Sequence, residues 1–153
     1  MRKYSIFMFM LGTLAIFSQN VFAHCEIPCG IYDDHMRIHM MEEDVTTIEK
    51  SMKEILNLQK QSSPNYNQLV RWIQNKEVHA DKLSDIVTQY FMKQRVKSAQ
   101  RSDGVAFNEY VEQLTLLHQI MVHSMQAKQT VDLSHVEALK SLISQFDKAY
   151  FKE

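Results

Sequence analysis

The chain contains very few of the residues that reverse the direction of a polypeptide. Three glycines and two prolines occur among its 153 residues. β-Sandwiches and β-barrels need frequent turns, and those turns depend mainly on such residues. An apolar fraction of 45% and a charged fraction of 23% are nevertheless typical of a globular protein. The sequence therefore predicts one domain built from a few long helices.

Apolar residues recur every three or four positions in four stretches, as on the buried face of a helix. The first stretch extends from about residue 34 to about residue 61, and Asp33 and Asp34 are suited to cap its start. A polar segment at residues 62–65 ends it. Its apolar positions are Ile38, Met41, Val45, Ile48, Met52 and Ile55.

Three further stretches follow, separated by short connections near residues 102–104 and 130–132. The second continues to about residue 98 and is long enough to bend, and the fourth begins at a capping-box pattern from Ser134 to Glu137. Together the stretches predict an all-α fold, an antiparallel four-helix bundle over residues 33–153. Their apolar positions are Leu69, Trp72, Ile73, Leu83, Ile86, Val87, Tyr90 and Phe91, then Phe107, Val111, Leu114, Leu117, Met121 and Met125, then Val136, Leu139, Ile143, Phe146 and Tyr150.

Residues 1–23 differ in composition from the rest of the chain. Arg2 and Lys3 precede an apolar run over residues 6–17, and a short polar segment leads to Ala23. This order is typical of a secretory signal peptide, with cleavage after Ala23. An N-terminal membrane anchor is the alternative, although the apolar run is short for a membrane span. We therefore expect an exported protein, periplasmic or secreted, without stable membrane association after cleavage.

Charge and cysteine content exclude two other classes of protein. Seventeen basic and eighteen acidic side chains give a net charge of -1, so there is no basic surplus for binding a phosphate backbone. We expect no nucleic-acid partner. Two cysteines are too few for a disulfide-rich scaffold but sufficient for one bridge or one small metal site.

Both cysteines lie in a nine-residue segment between the predicted cleavage point and the first helix. Cleavage after Ala23 leaves His24 with a free α-amine, a group that can lose its proton near neutral pH. Metal donors are then concentrated in six residues: the amine and imidazole of His24, the amide and thiolate of Cys25, and the thiolate of Cys29. The segment is His24-Cys25-Glu26-Ile27-Pro28-Cys29-Gly30-Ile31-Tyr32.

The spacing of these donors favours a planar metal site. The His24 amine, the Cys25 amide and the Cys25 thiolate are joined by short covalent links, so one ion can bind all three in a plane. Pro28 and Gly30 permit a tight reversal that brings Cys29 to the fourth position. Planar coordination by nitrogen and sulfur suits nickel(II) or copper(II) better than zinc, which prefers a tetrahedron.

The pattern His-Cys-x-x-Pro-Cys-Gly-x-Tyr at a processed N-terminus resembles the nickel-binding hook of the nickel-dependent superoxide dismutases. Every defined position is matched by His24, Cys25, Pro28, Cys29, Gly30 and Tyr32. The resemblance implies an antioxidant oxidoreductase that disproportionates superoxide to oxygen and hydrogen peroxide through nickel(II) and nickel(III). It also implies one nickel ion per subunit and a homohexamer of four-helix bundles.

The resemblance also implies roles for individual residues of the hook, residues 24–32. The His24 amine, the Cys25 amide and the thiolates of Cys25 and Cys29 would be the equatorial ligands. The His24 imidazole would be the axial ligand of the oxidised state. Tyr32 would lie beside the open face and order small molecules and water without binding the metal.

One pair of family residues has no counterpart here. In the better-known family members, a glutamate on the first helix holds the axial imidazole and is itself held by an arginine on the second. Alignment on residues 37–38 places His39 at the position of the glutamate and Asn75 near that of the arginine. We predict that His39, or a water it holds, orients His24, with Glu42 and Glu43 as rival partners.

Other interpretations remain open at this point. Cys25 and Cys29 can form a disulfide, as exported thiols usually do. His35 and His39 stand four residues apart on one predicted helix and can face one metal ion, although no third ligand lies nearby in sequence. The alternative function is an exported helical protein that sequesters nickel or copper without turnover. A copper enzyme with an N-terminal histidine brace fits poorly, because it needs a second histidine and normally a β-scaffold.

Overall fold

The computed structural model describes residues 32–152, so the predicted leader and all of the hook except Tyr32 lie outside the described residues. The described part is helical, without strands, and the predicted all-α fold is confirmed. None of its helices combines the length and apolar character needed to cross a membrane. The helices are α1 (Asp34–Gln59), α2 (Tyr66–Asp85), α3 (Gly104–Gln129) and α4 (Ser134–Phe151), and a π-helical segment (Ile86–Arg95) directly continues α2.

The four helices form a closed bundle. α1 packs against α2 and α4, and α3 packs against the same two helices. Contacts of α1 with α2 and with the π-helical segment that continues it show that the two run antiparallel. Asp34 at the start of α1 bonds to Arg95, whereas Asp44 farther along α1 pairs with His79.

The predicted apolar faces of α1 and α4 form much of the core. All six predicted positions of α1 are buried, as are Val136, Leu139, Ile143 and Phe146 of α4. The rings of Phe91 and Phe146 meet edge to face, with centroids 4.8 Å apart. Each large apolar side chain removed from water contributes roughly 1.5–3 kcal/mol, so these faces are a major source of stability.

The predicted face of α3 is partly wrong. Val111 and Met125 are 42% and 50% exposed, whereas Leu116 and Ile120 are buried beside Leu117. Apolar residues occur on more than one side of this helix, with adjacent pairs such as residues 116–117 and 120–121. Periodicity alone therefore does not single out the buried face.

The first half of α2 is less buried than the sequence predicts. Trp72 is partly exposed and Ile73 is exposed. Lys76 contacts the carbonyl groups at the end of α3. Residues of α2 before Lys76 therefore extend past the end of α3 and lack that helix as a neighbour.

The helix boundaries confirm one capping prediction and correct another. The Asp33 carboxylate accepts a hydrogen bond from the Met36 amide at 3.2 Å, so Asp33 caps α1. The capping box at Ser134 is wrong, because Ser134 is already inside α4 and no side chain caps that helix. Instead, the Asp132 carboxylate accepts a bond from the Ser134 amide at 2.9 Å. The second stretch changes to π-helical hydrogen bonding at Ile86 and ends its helix at Arg95.

Candidate metal centre and its surroundings

The structure describes where the predicted hook joins the bundle. The predicted ligands His24, Cys25 and Cys29 lie outside the described residues, and Tyr32 is the first residue described. Tyr32 lies just before α1 and beside Tyr90 of the π-helical segment. π-Helical hydrogen bonding is frequent near functional sites.

Tyr32 belongs to a small group of aromatic and cationic side chains. Its ring meets that of Tyr90 edge to face, with a centroid separation of 6.1 Å and an interplanar angle of 87°. The Arg37 guanidinium lies 5.1 Å from the centre of the Tyr32 ring and 4.9 Å from that of Tyr90. A cation over an exposed aromatic ring is worth about 0.5–1 kcal/mol. Arg37 therefore ties Tyr32 to the bundle and adds positive charge beside it.

A hydrogen-bond network centred on Asp34 holds Tyr90, a member of this group, in place. The Asp34 carboxylate accepts a bond from the Tyr150 hydroxyl at 2.8 Å and another from the Tyr90 hydroxyl. It also accepts a bond from Arg95 Nε at 2.8 Å, and Arg95 Nη2 lies 2.6 Å from the same oxygen. Asp34 thus joins the start of α1 to the π-helical segment and the end of α4.

The network changes the acidity of its members. Burial by itself raises the pKa of Asp34, but the bonds from Tyr90, Arg95 and Tyr150 and the charge of Arg95 outweigh it, so the pKa lies below its ordinary value. Burial and the adjacent Asp34 carboxylate raise the pKa of Tyr90 and that of Tyr150 to about 12. Both hydroxyls consequently keep their protons and donate to Asp34 at neutral pH.

A cleft of about 220 Å³ lies against Tyr32. Arg37 and Asp85 bring opposite charges to its wall, and Gln89 and Tyr90 add polar groups from the π-helical segment. A small anion in this cleft can therefore meet the Arg37 cation and the Gln89 amide next to Tyr32, with the Asp85 carboxylate on the same wall.

His39 lies on a different side of α1. Its Nδ1 is 3.1 Å from Glu42 Oε2, and the two side chains are 70% and 56% exposed. Residues two apart on a helix point roughly 200° apart, so His39 faces away from Arg37. Glu43 lies on the wall of another cavity, together with Asp44. The orientation of His24 by His39 stays a prediction, because His24 lies outside the described residues.

Asn75 does not stand opposite His39. Its Nδ2 donates to Ser51 Oγ at 2.9 Å, and Ser51 lies twelve residues, about 18 Å, farther along α1 than His39. The position of the second stretch at the level of His39 is near Val87, because the pairs at residues 34–95 and 44–79 flank it. Asp85, two residues away, is therefore much closer to that level than Asn75 is.

Among the described residues, no third ligand lies beside His35 and His39, the alternative metal site. His35 stacks on Phe151, with ring centroids 3.8 Å apart and an interplanar angle of 8°. Between residues 32 and 152, no three histidine, cysteine or acidic side chains are placed to hold one metal ion. His35 instead links the start of α1 to the end of α4.

Sequence reasoning missed most of the surroundings of Tyr32. Tyr90 appeared only as a core position, although a hydroxyl on an apolar face signals that a partner must be found for it. Asp34 appeared only as a helix-capping candidate. Arg95 gave no signal, since its partner lies 61 residues away in sequence.

Comparison with known proteins identifies a family. A family model described as nickel-containing superoxide dismutase matches residues 19–153, which include both cysteines and the whole described bundle. No curated protein and no solved structure matches the chain.

Proposed function

Because the chain belongs to the family of nickel-containing superoxide dismutases, we propose that His24, Cys25 and Cys29 hold its nickel ion. The protein is an oxidoreductase that converts superoxide to oxygen and hydrogen peroxide, with nickel as cofactor. The observation that carries the assignment of ligands is the match over residues 19–153, which includes the only two cysteines of the chain.

The donor set of the hook fits nickel. Two thiolates, an amine and an amide nitrogen are the soft, anionic and nitrogenous donors that favour planar nickel(II). The same anionic donors stabilise the higher oxidation state. The described part of the chain provides no group of three side chains that would compete for the ion.

The reaction consumes two superoxide anions and two protons and yields one molecule each of oxygen and hydrogen peroxide. When bound, nickel would supply the one-electron redox chemistry that links the two superoxide anions. The chain itself must attract the anion, keep it near the metal and allow protons to reach the product. Arg37 supplies positive charge for the first task, 5.1 Å from the Tyr32 ring. Tyr32 orders superoxide and water beside the hook.

The partner that orients the His24 imidazole belongs to the same proposal. His39 remains our choice, with Glu42 and Glu43 as rivals. Asp85 joins them, because it lines the cleft beside Tyr32 and Arg37. A carboxylate there would have the chemistry of the glutamate that His39 replaces.

The proposal also includes export of the protein and its assembly into a homo-oligomer. Residues 1–23 direct export and are removed, which creates the amine of His24 and leaves no stable attachment to a membrane. The mature chain assembles as a homohexamer, with one nickel ion per subunit. Exposed apolar side chains on α2 and α3 support contacts between copies; they include Tyr66, Val70, Val78, Val105, Val111 and Met125.

Cysteine replacement tests the ligand assignment. Cys25→Ser or Cys29→Ser replaces an anionic sulfur with a hydroxyl that keeps its proton, so each mature variant should lose bound nickel and superoxide turnover while remaining helical. Tyr32→Phe is the matched control and should keep its nickel. Nickel content measures metal binding, superoxide consumption measures turnover, and circular dichroism measures helicity. A serine variant with full turnover would refute the assignment, and nickel binding without turnover in the unaltered mature protein would favour sequestration.

A further inference from the structure

Two histidines face each other at the connection between α3 and α4. His123 lies near the end of α3 and His135 is the second residue of α4. Their Nδ1 atoms are 3.3 Å apart, and their rings are separated by 5.4 Å at 47°. Both side chains are half-buried. The pair lies far from the hook, because Phe151, which stacks on His35, is sixteen residues, about 24 Å, farther along α4.

The separation of the two nitrogens matches one kind of metal ion. Two nitrogens bound about 2.0–2.1 Å from a tetrahedral ion lie roughly 3.3–3.4 Å apart. Adjacent nitrogens in a square plane at the same bond length lie only about 2.9 Å apart. A hydrogen bond in which one Nδ1 donates to the other is the competing interpretation of this contact. The observed 3.3 Å therefore fits a shared tetrahedral ion better than a square-planar one.

We propose that His123 and His135 form a second metal site, which binds a zinc-type divalent cation through both Nδ1 atoms. Water completes the tetrahedron, because the described residues offer no third histidine, cysteine or acidic ligand there. The site differs in chemistry from the planar, sulfur-containing hook, so the two select different ions.

Neighbouring charges favour a cation at this site. The N-terminus of α4 opposes positive charge, but Asp132 lies immediately before it and interacts electrostatically with His135. Glu137 adds a second carboxylate in the first turn. Asp132 therefore offsets the helix dipole without binding the ion directly, whereas Glu137 is paired with Lys140 at 3.3 Å.

Metal binding would connect α3 and α4 across the turn between them. An ion that binds only the folded chain stabilises it by RT ln(1 + [L]/Kd). Zinc should therefore raise the melting temperature in a concentration-dependent manner. The effect should fall at low pH, because protons compete for the imidazole nitrogens.

The test uses mature protein whose hook is already loaded with nickel, so that its thiolates do not bind the added metal. Zinc and cobalt(II) are added separately to the unaltered protein and to the His123→Gln, His135→Gln and His118→Gln variants. His118 is the matched control, since it is an exposed histidine on the same helix. Metal content, cobalt absorption and melting temperature are measured, with circular dichroism as the test of folding.

We expect one additional zinc per chain and the intense visible absorption of tetrahedral cobalt(II). His123→Gln and His135→Gln should each weaken zinc binding at least tenfold, whereas His118→Gln should not. Superoxide turnover should be the same in all of them, which separates this site from the hook. Unchanged zinc binding in both folded variants, or weak absorption typical of octahedral cobalt, would overturn the proposal. If one variant does not fold, the other decides.

Discussion

Asp34 accepts hydrogen bonds from two tyrosines and one arginine, and it does so one residue after the cap of α1. Its side chain is 17% exposed, so an uncompensated charge there would be costly. The three donors compensate it and hold the carboxyl ionised. The same contacts fix Tyr90, against which Tyr32 packs. Asp34 therefore helps to fix the surface against which Tyr32, the last residue of the predicted hook, packs.

Replacing Asp34 with asparagine should destabilise the bundle in a pH-dependent manner. At pH 7 we expect the free energy of unfolding to fall by about 1–3 kcal/mol, because the bonds lose their charged acceptor. The folded-state pKa of Asp34 lies below its unfolded value, so its stabilisation is complete above the unfolded value of about 3.9. It is lost as the pH falls through the lower, folded value. Denaturant unfolding from pH 7 to pH 2 should show the two proteins converging in acid.

Asp33→Asn is the matched control for this experiment. Asparagine caps a helix about as well as aspartate, so this neighbouring change should have a smaller effect. A constant difference between the Asp34→Asn variant and the unaltered protein at every pH would show that Asp34 is not held ionised by its partners.

The sequence could show only part of what Asp34 does. Its position at the start of a helix was visible, because capping involves residues within one turn. Its partners Tyr90, Arg95 and Tyr150 are 56, 61 and 116 residues away along the chain. Those contacts depend on the packing of three elements, which no local pattern records.

At the scale of elements, a buried lysine of α2 caps the C-terminal end of α3. Lys76 is 3% exposed, and its ammonium donates to the carbonyls of Ala127, at 2.6 Å, Lys128, and Thr130, at 3.3 Å. The last carbonyls of a helix have no partner within the helix and carry partial negative charge. Lys76 therefore satisfies the end of α3 and joins it to α2.

Lys76→Met should weaken that end of the bundle. Methionine fills similar space but leaves the carbonyls without their donor, so we expect a loss of about 1–3 kcal/mol in the free energy of unfolding. Lys128→Met is the control, because it removes only a surface ion pair with Asp81, which is ordinarily worth about 0–1 kcal/mol. Denaturant unfolding gives both values, and hydrogen exchange should show faster opening at residues 126–130 in the first variant alone. Equal losses of unfolding free energy in both variants would contradict the role of Lys76 as the cap of α3.

The elements differ in how far the sequence predicted them. The length and the buried face of α1 follow from a single apolar stripe, and the structure confirms both to within two residues. The change from α to π hydrogen bonding at Ile86 could not be predicted. Residues 86, 87, 90 and 91 are apolar, and that spacing suits either kind of helix. Only packing decides between them.

At the scale of the whole molecule, the described core and the proposed metal ligands belong to separate parts of the chain. Among the described residues, the core comes from α1 to α4 and the π-helical segment, and its earliest member is Ile38. The proposed nickel ligands all precede Tyr32. A ligand set can be proposed from sequence because its members are neighbours along the chain. The surroundings could not, since Arg37, Asp85 and Tyr90 come together only when the bundle folds.

Because the proposed ligands include the α-amine of His24, nickel binding should depend on the residue at which the mature chain begins. In a mature chain that begins at His24, the first nitrogen is an amine and can bind nickel. One extra residue, as in a chain that begins at Ala23, converts that nitrogen to an amide and moves the amine out of the chelate. We expect turnover and nickel affinity to fall by more than the roughly 10–100-fold that loss of an outer partner of a metal ligand costs. Helicity should not change, and the melting temperatures of the metal-free proteins should agree, because the core of the described residues is untouched.

Two proteins test this prediction beside the mature chain: one that begins at Ala23, and a His24→Ala chain that keeps the α-amine but lacks the imidazole. Nickel stoichiometry, superoxide consumption and thermal unfolding are measured for all three. The amine and the equatorial plane survive in His24→Ala, so it should still bind nickel while turning over superoxide more slowly. The Ala23 chain should bind nickel weakly and be inactive. Full turnover in the Ala23 chain would mean that the amine is not a ligand, and that removal of the leader serves export alone.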